Sequence, residues 1–235
     1  MSEYLAFMKS VEQVMIELES MADPEYISKM EYFGIKKGTS AYGIKHAVLK
    51  PLAKEIGKSQ ELANELWNQP VHEAKLMAIH LSEPKKFAEE TAEKWTSECY
   101  SWDMVDGIGM KILPKTEFVY FKIDEWSFRE PEYEKRMAFA AMVGVSMHQK
   151  KTPDTRIAEF FPTIEREAWD DRNFVKKAVN WSLRQIGKRS LELNKQAIEV
   201  AKRIKSQDTK AARWIANDAL RELRSDKIQE RLIKK

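Results

Sequence analysis

Leu66-Trp67-Asn68-Gln69-Pro70, followed after Val71 by His72-Glu73-Ala74-Lys75-Leu76-Met77-Ala78, is the stretch that decides the fold. One helical pattern closes on a Trp and a Pro, and a second opens almost at once with a cation near its start. The arrangement returns three times along the chain. Asp124-Glu125-Trp126 precedes Glu134-Lys135-Arg136-Met137-Ala138-Phe139-Ala140, and Ala168-Trp169-Asp170-Asp171 precedes Val175-Lys176-Lys177-Ala178-Val179-Asn180-Trp181. Ser206-Gln207-Asp208 precedes Lys210-Ala211-Ala212-Arg213-Trp214-Ile215-Ala216-Asn217. Aligning Lys75, Arg136, Lys177 and Arg213 gives intervals of 61, 41 and 36 residues, and the first leaves room for one more unit, around Trp102. Degenerate helix pairs of roughly 30–45 residues are the mark of an α-solenoid of the HEAT or armadillo kind, in which a pair buries its apolar face only by stacking on its neighbours. The expectation is an all-α, curved α–α superhelix of HEAT-like helical repeats. Residues 1–235 form a single domain in this reading, with N-terminal helices over about residues 1–33 capping the solenoid.

Composition agrees. The chain has 235 residues, few Gly and Pro (eight of each) and one third charged residues, which favours helix throughout. Tyr4 to Met21 places Leu5, Met8, Val11, Met15 and Leu18 on one stripe, and Asp23-Pro24 stops it. Gly34, Gly38 and Gly43 mark a loop with Thr39-Ser40 available as a cap, and the next helix runs from about Tyr42 to Ile56. The best strand candidate is the short Phe118-Val119-Tyr120-Phe121. No apolar run approaches the roughly 20 residues that span a bilayer, and Met1-Ser2-Glu3-Tyr4 lacks the features of a signal peptide. The single Cys99 excludes an internal disulfide and a cysteine-built zinc site, so a cytoplasmic protein is expected.

A net charge of +3 hides an asymmetry. Residues 1–150 hold 19 Lys and Arg against 24 Asp and Glu, a balance of −5, whereas residues 151–235 hold 21 against 13, a balance of +8. A basic final third is either a set of solvated helix faces or a surface for a polyanion. In each repeat the cation opens the second helix, which normally lines the concave side of a solenoid. Lys75, Arg136, Lys177 and Arg213 would thus place one cation per repeat along a groove, a spacing that suits a nucleic-acid backbone and also an acidic protein. His46, His72, His80 and His148 lie apart without ligand spacing, and no carboxylate motif accompanies His72 and His80, so no metal is expected. Trp67, Trp95, Trp126, Trp169 and Trp214 are expected to pack between helices, and the Met residues to fill gaps in the core.

Two segments remain. Ser101-Trp102-Asp103-Met104-Val105-Asp106 places a carboxylate one helical turn after an indole, so Trp102 and Asp106 share a face. Trp is usually core and Asp usually solvated, so this pair says little alone. Ala178-Val179-Asn180-Trp181-Ser182-Leu183-Arg184 adds a second Trp with an Arg at helical spacing. With Arg136, these segments resemble the AlkD-like DNA alkylation repair proteins, DNA glycosylases built from HEAT-like repeats. The resemblance covers the chain from about Met30 to Arg224, and its sharpest points are the family's Trp-Asp-x-Val-Asp pattern at Trp102–Asp106 and Trp181-x-x-Arg184.

The resemblance implies excision of cationic N3- and N7-alkylated purines from duplex DNA without a cofactor, by a monomer whose groove stays open to the helix. It implies that Asp106 is the catalytic carboxylate, that Trp102 and Trp181 pack on the sugar and backbone of the lesion, and that Arg136 and Arg184 hold flanking phosphates. It requires no Lys nucleophile, hence no lyase activity. Tyr26 is the candidate for a family aromatic near the lesion, and Ser101 stands where some relatives carry a second Trp. Gly107 and Gly109 either admit the DNA closely or let helices pack tightly. The family also includes scaffolds that only bind unusual DNA structures, which is the first alternative; a HEAT-type adaptor for an acidic protein is the second.

Overall fold

In the computed structural model, residues 9–36, 38 and 40–234 are described, and they are helices joined by short connections. Tyr4, Leu5 and Met8 of the expected first stripe, and the cap Thr39, lie outside the described residues. The chain divides into two compact units between Gly107 and Ile108.

The first unit contains α1 (Val11–Ser20), α2 (Pro24–Tyr32), α3 (His46–Ile56), α4 (Gln60–Trp67), α5 (His72–Leu81), α6 (Glu89–Ser97) and most of α7 (Trp102–Lys111), inside which the division falls. α1 opens on a capping box: Ser10 Oγ accepts from Gln13 N while Gln13 Oε1 accepts from Ser10 N. Asp23-Pro24 does more than stop α1. Asp23 Oδ1 accepts from Glu25 N and Tyr26 N, both at 3.1 Å, and Pro24 supplies the first turn of α2 with a fixed φ. α3 starts at His46, four residues later than the periodicity predicts, because the preceding backbone is held elsewhere. The Glu73 carboxylate, fully buried, accepts from the amides of Tyr42, Gly43 and Ile44 at 2.9, 2.8 and 3.0 Å. Gly43 has φ +79°, and a Cβ there would stand 2.2 Å from Asp23 O, so only glycine fits. Ser40 does not cap α3; its carbonyl accepts from His72 N, and Lys45 precedes the helix with no side-chain cap. Trp67 and Trp95 stack with ring centres 4.1 Å apart, and Trp67 Nε1 donates to Glu98, fixing the turn that leads to α7.

The second unit contains α8 (Val119–Ser127), α9 (Glu132–His148), α10 (Asp154–Ala158), α11 (Phe161–Arg166), α12 (Asn173–Gly187), α13 (Leu191–Ser206), α14 (Lys210–Leu223) and α15 (Asp226–Ile233). The strand expected at Phe118–Phe121 is the start of α8: Val119, Ile123 and Trp126 are buried at i, i+4 and i+7, so a helical stripe overrides the local aromatic preference. α8 lies against α9, α9 against α12, and α13 against α14. α9 is buried almost throughout. Gly109 lets α7 approach it, since a Cβ there would meet Ala140 Cβ at 2.7 Å, and one on Gly144 would meet Gly109 O at 2.4 Å. Gly109 therefore serves helix packing. Gly107 does the same in the first unit, where its Cβ would lie 3.1 Å from Ile79. Trp67, Trp95 and Trp126 are core residues, as expected, but Trp169 and Trp214 are 56% and 42% exposed.

Candidate nucleic-acid interface

α7 buries Met104, Val105 and Ile108 completely, which turns Trp102 and Asp106 to its other side, both half-buried and one turn apart. Trp102 Nε1 donates to Phe33 O at 3.2 Å, fixing the indole's edge. Asp103, between them, points inward. One carboxylate oxygen lies 2.9 Å from His72 Nε2 and 3.9 Å from His46 Nε2, and the other accepts from Met104 N at 3.0 Å. His72 Nδ1 is in turn 3.2 Å from the Tyr100 hydroxyl. Burial alone would push the Asp103 carboxyl up, but the contacts from His46 and His72 outweigh it and hold the group well below the usual carboxylate range. Burial, with Asp103 beside it, pushes the Tyr100 phenol well above its ordinary range. His72 thus has a carboxylate partner that no local motif announces, supplied by α7 across 31 positions of sequence. His46 and His80, expected apart, have ring centres 6.1 Å apart. Among the described residues no group of three such side chains is arranged to hold a metal ion.

Lys75, also in the first unit, opens α5 as the repeat pattern predicts. Its Nζ donates to Trp67 O and lies 4.8 Å from the Trp67 ring centre, and burial pushes its ammonium pKa down. Much of its charge caps the end of α4.

In the second unit, Arg136, Lys177 and Arg213 likewise open α9, α12 and α14. They differ in reach. Arg136 is only 6% exposed and donates to Phe174 O at 2.7 Å, so it ties α9 to the first turn of α12. Its neighbour Lys135 is equally buried, 2.8 Å from Glu167. Lys177 is exposed. Trp181 and Arg184 follow it at i+4 and i+7, half-buried, on the face of α12 opposite Val175, Val179, Ser182 and Ile186. Arg184 pairs with Glu222, with Asp218 at 3.5 Å. Arg213 is exposed and pairs with Asp208, and Lys176 lies over the exposed Trp214 ring at 5.4 Å. Two cation–indole contacts, this one and Lys135 over Trp169 at 5.7 Å, give the exposed tryptophans a role that helix periodicity alone does not reveal. Tyr26, half-buried on α2, has Lys45 Nζ over its ring at 5.3 Å.

Helix pairs whose second members open on a cation form a HEAT-like repeat scaffold, on which α7 carries an indole and a carboxylate on one outward face. The chain belongs to the DNA alkylation repair enzyme family, whose model matches residues 14–223. Two solved structures share its fold. One represents a family of proteins related to the HEAT-like repeat DNA glycosylases with affinity for branched DNA structures: 20% identity, 91% of this chain and 95% of that chain covered, TM-score 0.74. The other is a predicted DNA alkylation repair enzyme from Enterococcus faecalis: 19% identity, 88% and 98% covered, TM-score 0.62. No curated protein sequence gives a significant match. No helix among the described residues is long and apolar enough to cross a membrane.

Proposed function

We propose that the protein is a monofunctional DNA glycosylase that excises N3- and N7-alkylated purines from duplex DNA, with Asp106 as its catalytic carboxylate. The observation that carries this is the placement of Asp106 and Trp102 one turn apart on the outward side of a helix whose inward side is fully buried. An alkylated purine carries a positive charge and leaves readily. As the bond between C1′ and the purine nitrogen breaks, its electron pair goes to the base, which departs neutral, and the sugar becomes oxocarbenium-like. Asp106 stabilises that developing charge and takes a proton from the water that adds to C1′. The π-faces of Trp102 and Trp181 pack on the sugar and backbone, and are attracted to the same positive charge. The exposed Lys177 and Arg213 and the half-buried Arg184 contact phosphates; Arg136 and Lys75 do so only by releasing the carbonyls they now hold. The protein acts as a monomer in the cytoplasm, on damaged double-stranded DNA.

The test is base release from duplex DNA containing N7-methylguanine. The wild type should release the base and Asp106→Asn should not, with duplex affinity changed less than about threefold. A second reading, binding of unusual DNA structures without catalysis, is favoured by the branched-DNA affinity of the neighbour at TM-score 0.74. Under that reading neither form releases base, and a four-way junction is bound more tightly than a duplex. An adaptor for an acidic protein would show neither excision nor a steep salt dependence of DNA binding.

A further inference from the structure

At the end of α12 away from Lys177, a cleft of about 550 Å³ lies between the C-terminal end of α9, the C-terminal end of α12 and α15. The side chains that decide its character are Ser146, Lys150, Asp154, Lys188, Arg189 and Arg231. Helix C-termini ordinarily repel anions because their last carbonyls point outward. Here those carbonyls are covered. Arg189 donates to Ser146 O at 2.8 Å, Gln149 O at 3.1 Å and Thr152 O at 2.6 Å, closing α9, and Arg231 donates to Lys188 O at 3.3 Å, at the end of α12.

The acids are also engaged. Asp154 meets Arg189 at 3.0 Å and Glu222 meets Lys188 at 2.7 Å. Lys150 and Arg231 are exposed, and among the described residues neither has an acidic partner. Ser146 adds an independent sign. It is 6% exposed and its Oγ has no hydrogen-bond partner among the described residues, a state that costs stability unless something fills it. A phosphate oxygen is an acceptor that a hydroxyl in the wall of a cleft also lined by Lys150, Lys188, Arg189 and Arg231 would take.

We propose that this cleft is a second phosphate site, which holds a backbone phosphate of the nucleic acid that runs along α12. The inference rests on the DNA-binding part of the function proposed for the α7 and α12 faces. Lys177, Trp181, Arg184 and Lys188 fall at i, i+4, i+7 and i+11, so one helix face leads from the exposed Lys177 to the cleft. Eleven residues of helix rise about 16 Å, roughly five base-pair steps of duplex.

The experiment uses the full chain with Lys150→Glu/Arg231→Glu, both exposed positions, and separately Ser146→Ala, each checked for an unchanged melting curve. Affinity for an undamaged duplex is measured by fluorescence anisotropy over a salt series, with Lys177→Glu as a control on the α12 face. Inorganic phosphate and a mononucleotide are titrated by calorimetry. The double variant should bind duplex roughly tenfold or more weakly, with a salt slope shallower by about 0.9 for each phosphate that is no longer neutralised. Ser146→Ala should weaken binding about two- to fivefold, the effect of removing one hydrogen bond. If the wild type and Lys177→Glu show that DNA is bound but the cleft variants keep the wild-type slope, the cleft proposal falls and the DNA reading stands. If the wild type binds no duplex yet takes phosphate or mononucleotide in a cleft-dependent way, the DNA reading fails, and with it the nucleic-acid source of the phosphate.

Discussion

Asp103 sits in the same five-residue motif as Asp106 and has the opposite environment. Its carboxylate is buried against His72, and Asp103→Asn removes the charge from that contact at a cost of about 1.5–3 kcal/mol. The pH dependence follows from the direction of the shift. The folded carboxyl is held below its unfolded value of about 3.9, so near that pH the unfolded chain takes up a proton that the folded chain refuses. The stabilisation is complete above about pH 5 and fades as pH falls through 4 towards the lower folded value. Thermal melts at pH 6 and pH 3.5 should therefore show a larger drop for the wild type than for Asp103→Asn; equal drops would show that the pair does not govern acid stability. Trp102 and Asp106 were legible in the sequence because a helical turn is a local property. The Asp103–His72 pair was not, since the two residues meet only through the packing of α7 on α5, and no spacing within either segment encodes that distance.

At the scale of elements, the second helix of each pair and its opening cation were legible, because a 3.6-residue apolar period and a cation at a fixed offset survive the divergence of the repeats. Where the expectations failed, a distant group competed with a local preference. Gly43, held with its neighbours on the Glu73 carboxylate, has a left-handed φ of +79° that no helix from Tyr42 could pass through, and the stripe of Val119, Ile123 and Trp126 outweighs the aromatic run that resembles a strand. The reach of the cations was not legible either: Arg136 and Lys177 occupy equivalent places in their helices, yet one is buried against Phe174 O and the other is exposed. The close approach of α7 and α9 sets a stability prediction. A Cβ on Gly144 would stand 2.4 Å from Gly109 O and 2.5 Å from Pro114 Cγ, so Gly144→Ala should lower the urea midpoint by the equivalent of about 1–3 kcal/mol. An unchanged midpoint would mean that the two helices separate without cost.

For the molecule as a whole, the excess of cations in residues 151–235 falls on α10 to α15, and many acids of that region are engaged in ion pairs: Glu165 with Arg203, Glu167 with Lys135, Glu222 with Arg184 and Lys188. The Glu73 cradle has a consequence of another kind, visible in the exchange of amide protons with deuterated water. In a chain of helices the connecting segments ordinarily lose their protons first, because nothing but solvent holds them. The segment before α3 should behave otherwise, with the amides of Tyr42, Gly43 and Ile44 exchanging as slowly as those of a buried helix. Glu73→Gln, which keeps one acceptor oxygen where the carboxylate offers two, should open that stretch to deuterium while the centre of α5 stays closed.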